Sequence, residues 1–538
     1  LRSDAAIAGT WDEEVDVAVI GFGGAGSAAA IEAAESGVSV LVIERFRGGG
    51  ATKMSGGIMY SGGGSDLQKQ AGFNDDPEEM FKYLACETGD AVEEQVLRDF
   101  CEKSVSNFRW VEGHGVPYPF SFQAGKSSYP SNETTLYYSG NECAPPYCEK
   151  ARPAPRGHRA LGKGLTGDVF YRALKQKTIA AGARIRYRTQ SRKLITDDRG
   201  SVVGVEILAQ PSNFFLQGVH ELLFFCGTYL GALNLTLLKM FRSLLERFEN
   251  RFGRVLRIRV KGGVVLASGG FIYNPEMTQA NIPKYAKTMR LGTIGDSGSG
   301  ITLGQSVGAD VRKMERGTAW MFINPPAGLP KGILLSRKGE RVCNEELYGA
   351  ALGENIAEHH DGRAILLLDH KSWKESRNQI FRERKVTFQT IMGFINLYLN
   401  NRKSRSLEKL AQKCGMPADA LHDAVDIYNA GVASGTDAMG KSATSLQMVD
   451  TPPYHAVNCD IDNGKFLTPS ISLGGLSTDG TSGQVLRRDG SPIEGLYAAG
   501  RSAAGICSHS YVSGLAIADC IYSGRNAGRS AARAAAEM

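Results

Sequence analysis

The sequence lacks the features that would tie it to a disulfide scaffold or a metal centre. Its ten cysteines contain no CxxC pair, and Cys143 and Cys148 are the nearest two. In a chain of 538 residues that pattern reads as reduced thiols in a cytosolic setting. No His/Cys group has zinc spacing, and His359 and His360 merely stand side by side, so no metal is expected. No basic stretch, short apolar run and cleavage site open the chain, and the expected location is the cytoplasm. Basic platforms interleaved with aromatics are missing, which argues against nucleic acid as a partner. The net charge of +6 is not spread evenly. Seven basic and two acidic residues lie between Lys239 and Arg259, so one segment carries nearly the whole excess.

What is plentiful is glycine, 65 residues, set beside apolar runs. Such a chain is rich in tight turns and close backbone approaches. The 42% apolar and 22% charged fractions are those of a globular protein, and the length calls for two domains or more. The most specific stretch is "DVAVIGFGGAGSAAAIEAAESGVSVLVIER", residues 16–45. An apolar strand runs into Gly21-Phe22-Gly23-Gly24-Ala25-Gly26, a GxGxxG turn opening a helix. Gly21 permits the turn, Gly23 lets a pyrophosphate approach the backbone, and Gly26 lets helix pack on strand. A second strand ends at Glu44, where a carboxylate can accept hydrogen bonds from ribose hydroxyls. The expectation is a dinucleotide site.

A second Gly/Ser loop follows, "GGGATKMSGGIMYSGGG" (48–64). It resembles the loop that covers the FAD pyrophosphate and flavin in flavoprotein oxidoreductases. "VVLASGGF" (264–271), "GTIGDSGSGITLGQSVGA" (292–309) and "GLYAAGR" (495–501) are similar to further segments of those enzymes. Over nearly its whole length the chain resembles the fumarate reductase and 3-ketosteroid dehydrogenase superfamily. The resemblance implies an α/β fold: a Rossmann-type FAD-binding domain with an inserted α+β substrate domain capping it. It implies FAD, bound noncovalently, as the cofactor. Besides Gly21, Gly23, Gly24, Ala25, Gly26 and Glu44, it implies cofactor contacts at Arg45, Thr52, Ser55, Gly56, Gly57, Ser268, Gly269, Asp296, Gly500, Arg501, Leu515 and Ala516.

The substrate end departs from the fumarate-type pattern. There an Arg follows an Asn-Glu pair and a second Arg near the C-terminus clamps a carboxylate. Here "ERVCNEELYGAALG" (340–353) offers Tyr348, and the C-terminal site reads Tyr511-Val512-Ser513-Gly514. Ser472 stands where fumarate reductases carry a substrate-binding His. Neutral hydroxyls suit a ketone, which they hydrogen-bond without leaving a cation unpaired. The set Tyr348, Tyr511 and Ser513 resembles the 3-ketosteroid Δ4-dehydrogenases, as do "TTLYYSGNE" (134–142) and "APRGHRALGKGLTG" (154–167). That branch removes a C4 proton and a C5 hydride from a saturated 3-ketosteroid and passes the electrons to an external acceptor. The Δ1 branch, which acts on 4-en-3-ones, and a fumarate- or urocanate-type reductase remain alternatives. Tyr118, in "HGVPYPFSF" (114–122), is a further candidate, either at the pocket or in a turn framed by Pro117 and Pro119. Trp320, Met321 and Phe322 are expected as pocket wall or core, and Arg156 and His158 as residues that order a loop.

The expected organisation is an FAD domain from 12–310 and 450–538, a substrate domain from 311–449, and an apolar helical insertion at 211–252. Relatives are expected to have a short hairpin loop at the insertion. Residues 222–238 carry no charge, yet a spanning helix needs ~20 apolar residues. Both ends of the insertion must return to one sheet, so a single crossing is excluded. The basic, amphipathic stretch that follows suits an anionic surface. The expectation is a peripheral contact with the inner face of the cytoplasmic membrane, dispensable for cofactor binding; a protein-covered lid or subunit contact is the alternative.

Overall fold

The computed structural model describes residues 11–324, 326–382 and 387–538. A sheet forms around the strand Glu13–Ile20, which pairs in parallel with Val40–Ile43 on one side and Arg254–Leu266 on the other. Arg184–Arg186 extends it beyond Val40–Ile43, and Pro492–Ala498 joins it along Arg254–Leu266, so both halves of the chain build one sheet. Val40–Ile43 is buried at every position, as a parallel strand covered on both faces must be. Helices Gly24–Glu35 and Leu515–Ala536 press together through small residues. A Cβ at Gly524 would stand 2.5 Å from the Ala25 carbonyl oxygen, and one at Gly528 2.3 Å from that of Ala29. The Gly/Ala richness of the last helix is therefore a packing requirement.

A second, antiparallel sheet runs Ile333–Ser336, Ala364–Leu368, Tyr454–Asn458, Asn401–Ser404. Helices Leu407–Cys414 and Ala418–Ala433 pack against it, joined through Gly415 in the left-handed conformation. That helix stop was legible in the sequence.

The insertion is a helical hairpin, Phe214–Leu233 and Leu235–Phe252. Asn213 and Asn234 each cap the helix they precede, accepting from the backbone N–H of Leu216 and Leu237. The hairpin leaves and rejoins the sheet at paired residues, Ala209 opposite Arg254. His220, Gly227, Thr228 and Gly231 face inward, whereas Phe214 is 91% exposed and Phe215, Leu222, Phe225 and Leu233 are also bare. Among the described residues no helix is long and apolar enough to cross a membrane.

Candidate functional site

A cavity opens at the carboxyl ends of the central strands, where ligands bind in folds of this kind. At one end it is lined by Gly21, Gly23, Gly24, Ala25 and Glu44. The glycines have separable duties. A Cβ at Gly21, which has φ +100°, would lie 2.5 Å from the Ala267 oxygen, and one at Gly26 would lie 2.0 Å from the Gly21 oxygen. Those two hold strand, turn and helix together. At Gly23 a Cβ would meet nothing closer than 3.7 Å, so its bare backbone faces the cavity. No side chain caps the N-terminus of Gly24–Glu35, although Thr52 Oγ1 accepts from the Gly24 N–H at 3.0 Å. An anion is favoured at such a helix end.

Glu44 is buried, which pushes its carboxyl up, while the backbone N–H groups of Phe46 and Phe22 donate to its two oxygens and oppose the shift. A carboxylate has about four lone-pair sites, so these backbone acceptances leave room for a ribose hydroxyl. Gln190 Oε1, Ser191 Oγ and Arg501 Nη1 are buried polar atoms without a partner among the described residues, and all three residues line the cavity. Orphans of this kind call for a polar ligand. Arg501 is charge-paired with Asp296, and Ser268 Oγ accepts from the Gly300 N–H. Thr52, Ser55, Gly56, Gly269, Gly500 and Ala516 complete the lining that the sequence pattern implied. These residues fit a dinucleotide with a polar pyrophosphate and an apolar ring.

Some candidates stand elsewhere. Gly26, Gly57 and Leu515 are outside the lining; Gly57 presses on Thr166 and Leu515 is fully buried in the core. Arg45 borders the cavity but gives both Nε and Nη2 to Glu249 on the hairpin, at 3.0 and 2.7 Å. Tyr118 is buried against Phe108, with ring centroids 4.8 Å apart, and does not reach the cavity. The segment 116–120 around it forms no turn, and the Tyr118 ring is part of the core. Arg156 pairs with Asp75 in full burial and His158 bonds Ser65, holding the loop beyond Ile58–Tyr60. Burial lowers the His158 pKa to about 4, so that ring is neutral. Ser472 Oγ accepts from the Phe271 N–H at 2.8 Å and stays out of the cavity. Thr189, Gln190, Ser191 and Phe224 line it without having been anticipated, because they come from an edge strand and the insertion, which carry no glycine signature.

At the other end the cavity meets Trp320, Phe322, Tyr348, Ile471, Tyr511 and Ser513. Val512 turns into the core and is fully buried, so its neighbours Tyr511 and Ser513 both emerge on the cavity side. Gly514 follows with φ +89°, and a Cβ there would sit 2.7 Å from the Tyr60 backbone nitrogen. Only glycine lets the chain turn here into the last helix. Tyr348 immediately precedes the helix Gly349–Glu354. Cβ atoms at Gly349 and Gly353 would stand 2.7 and 1.9 Å from the carbonyl oxygens of Met321 and Ala319. The two glycines let this helix press onto residues 319–321, which brings Trp320 to Tyr348. Trp320 Nε1 donates to the Tyr348 oxygen at 2.6 Å, and Asn141 Oδ1 accepts from the Tyr348 N–H. The Trp320 and Tyr511 rings meet edge to face at 4.8 Å.

Burial pushes both phenols up. For Tyr348 hydrogen bonds to Ser513 and Trp320 oppose the shift; for Tyr511 the proximity of Tyr348 adds to it. The Ser513 hydroxyl also faces Tyr137, whose own oxygen has no partner at hydrogen-bond distance among the described residues. Both arginines bordering the cavity are paired, Arg45 with Glu249 and Arg501 with Asp296.

The sequence pattern of the FAD binding domain family matches residues 16–514. This chain belongs to that family. Its cofactor is FAD. The flavoprotein is 34% identical to the 3-oxo-5-alpha-steroid 4-dehydrogenase of Comamonas testosteroni, over 91% of this chain and 93% of the relative. It is 26% identical to a 3-oxosteroid 1-dehydrogenase of Mycolicibacterium smegmatis, over 93% and 94%. Among solved structures it is similar to the 3-ketosteroid-delta4-(5alpha)-dehydrogenase of Rhodococcus jostii RHA1 in complex with 4-androstene-3,17-dione. That match has a TM-score of 0.82 and 32% identity and covers 98% of this chain and 99% of the other.

Proposed function

We propose that the flavoprotein is an FAD-dependent 3-ketosteroid Δ4-dehydrogenase, an oxidoreductase of CH–CH groups. It removes a C4 proton and a C5 hydride from a saturated 3-ketosteroid to give the 4-en-3-one. The observation that carries this reading is the trio Tyr348, Tyr511 and Ser513: three neutral hydroxyls in an aromatic pocket, with no unpaired cation among the described lining residues. A dicarboxylate would have no counter-charge there. The similarity to the Comamonas and Rhodococcus Δ4 enzymes exceeds that to the Mycolicibacterium Δ1 enzyme in identity.

Bound FAD supplies the hydride acceptor. The protein must polarise the C3 carbonyl and take the C4 proton. Tyr511 keeps its proton at neutral pH, since burial and Tyr348 both disfavour the phenolate, and so serves as the donor to the carbonyl oxygen. Tyr348 is also pushed up by burial, but it is the phenol at which hydrogen bonds oppose that shift. Its oxygen receives the Trp320 N–H, and Ser513 stands beside it, so two donors stabilise negative charge there. Ser513 takes the C4 proton as its own passes to Tyr348. This relay works only with the Tyr348 phenol deprotonated, so turnover rises with pH. The decisive test is anaerobic: a saturated 3-ketosteroid should bleach the flavin and yield a 4-en-3-one by NMR. A 1,4-diene formed from a 4-en-3-one would instead assign the Δ1 reaction, and bleaching by neither would remove the steroid reading.

Electrons then leave to an external acceptor, and the hairpin docks the enzyme on an anionic bilayer from which lipophilic steroid arrives. Support for docking is the bare apolar face with cations beside it. Arg242, Arg254, Arg257 and Arg259 are paired with Glu276, Asp12, Glu206 and Glu14. Lys239, Arg247 and Arg251 have no carboxylate partner among the described residues, so three cations of the segment, not its whole surplus, are left without a counter-charge. Co-sedimentation with anionic vesicles at low salt should fall when Phe214, Phe215 and Leu222 are changed to serine. A wild type that stays in the supernatant refutes the membrane contact.

A further inference from the structure

From its sequence the insertion looks detachable, an apolar appendage hung on a hairpin turn. Its contacts say otherwise. The inward face of the first helix lies against the loop that follows the ribose carboxylate. Phe224 lines the cofactor cavity and packs on Phe46 with ring centroids 4.5 Å apart. Phe46 in turn gives its N–H to Glu44 at 2.7 Å. Thr228 Oγ1 accepts from the Ile294 N–H, and its carbonyl accepts from the Tyr273 hydroxyl, which ties the helix to the segment carrying Asp296. From the second helix Glu249, only 1% exposed, takes both nitrogens of Arg45 and one from His220. Arg47 and Arg188 close on Glu221 of the first helix. Two ion-pair clusters and an aromatic contact therefore join the hairpin to residues 44–47 and no equivalent set is needed to anchor a mere membrane foot.

We infer that the hairpin is the outer wall of the nucleotide half of the FAD site, with Phe224 a cofactor-facing residue and Glu249 a positioning residue that acts through Arg45 and Phe46. The chain of action is short. Glu249 fixes Arg45, whose guanidinium carbon lies 5.4 Å from the centroid of the Phe46 ring. Phe224 packs on the same ring. Together they hold the Phe46 N–H on Glu44 and keep water from the carboxylate that receives the ribose. The inference rests on FAD as the cofactor and is independent of which steroid bond is oxidised.

The test is FAD affinity of the apoprotein, read by quenching of flavin fluorescence, beside the melting temperature of the apoprotein. Phe224→Ala and Glu249→Ala should each raise the Kd for FAD by roughly tenfold, equivalent to about 1.4 kcal/mol. Each apoprotein should remain fully folded, by its melting curve, at the temperature of the titration, so that the change read is one of affinity and not of folded protein. Phe224→Leu, which keeps an apolar wall, should restore affinity to within about threefold. Arg242→Gln, on the same hairpin but paired with Glu276 away from the cavity, should leave the Kd unchanged. An unchanged Kd in both alanine variants overturns the inference. So does a loss of affinity that appears only where the apoprotein is partly unfolded at the titration temperature, or that Arg242→Gln reproduces.

Discussion

The donor that Trp320 extends to Tyr348 is a direct handle on the proton relay. Trp320→Phe removes one N–H at 2.6 Å from the phenol oxygen and leaves an aromatic ring against Tyr511. If the phenol stays neutral throughout the reaction, the lost bond is one between neutral groups, worth about 0.5–1.5 kcal/mol. If Tyr348 carries negative charge in the transition state, the bond is charge-assisted and worth about 1.5–3 kcal/mol. At about 1.36 kcal/mol per decade the second case lowers kcat roughly 13- to 160-fold and the first by roughly 2- to 13-fold. A smaller ring also leaves a void, and that void would disturb KM as well as kcat. The pH profile separates the two effects. Loss of the donor raises the Tyr348 pKa further, so the alkaline rise of kcat/KM moves to higher pH; a void alone does not move it. The assay is steady-state oxidation of a saturated 3-ketosteroid with an artificial electron acceptor, with stopped-flow flavin reduction to isolate chemistry. A kcat within about twofold of wild type, with the pH profile unmoved, would refute the relay, because no charge-assisted bond is worth so little.

Tyr348→Phe and Tyr511→Phe should each reduce flavin reduction by ~10²–10⁴-fold, the usual range for a positioned proton-transfer group, with FAD affinity unchanged; less than tenfold in both would misplace the site. Gly514→Ala puts a side chain at φ +89° and 2.7 Å from the Tyr60 nitrogen, so it should lower the melting temperature and displace Ser513, abolishing turnover even where FAD is retained. Glu44→Ala should weaken FAD binding in fluorescence titration, and acid precipitation should release free FAD from the wild type; colour kept in the pellet would indicate a covalent link. Burial pushes the Glu249 carboxyl up, but Arg45 and His220 together outweigh it and hold it down to about 2. A depressed carboxylate stabilises the fold above its unfolded pKa of about 4.3 and ceases to as pH falls through the folded value. FAD release on acidification should therefore steepen between about pH 4 and pH 2 in the wild type, and less so in Glu249→Gln.

Local chemistry was legible along the chain. The turn at residues 21–26, the carboxylate at 44 and the helix stop at Gly415 depend on backbone conformations and near-neighbour contacts that residue type alone sets. The trio Tyr348, Tyr511 and Ser513 could be named because neutral hydroxyls stand where fumarate-type relatives carry cations, and the cavity does gather all three. What the sequence could not reveal were relations between distant residues. Trp320 becomes the partner of Tyr348 only because Gly349 and Gly353 let a helix press onto its strand. Tyr118 and Tyr348 are both buried tyrosines, and nothing local tells which faces a cavity and which a core. Arg45 lies three residues from the glycine-rich loop, yet its charge is taken by Glu249, 204 positions away. The hairpin's composition reports the face it shows to solvent, since exposed phenylalanines and unpaired cations are conspicuous there. Its inward face is built of ordinary residues, His220, Phe224, Thr228 and Glu249, whose significance depends wholly on what they touch. Partner choice in a folded chain is a long-range packing outcome, and only the tertiary structure determines it.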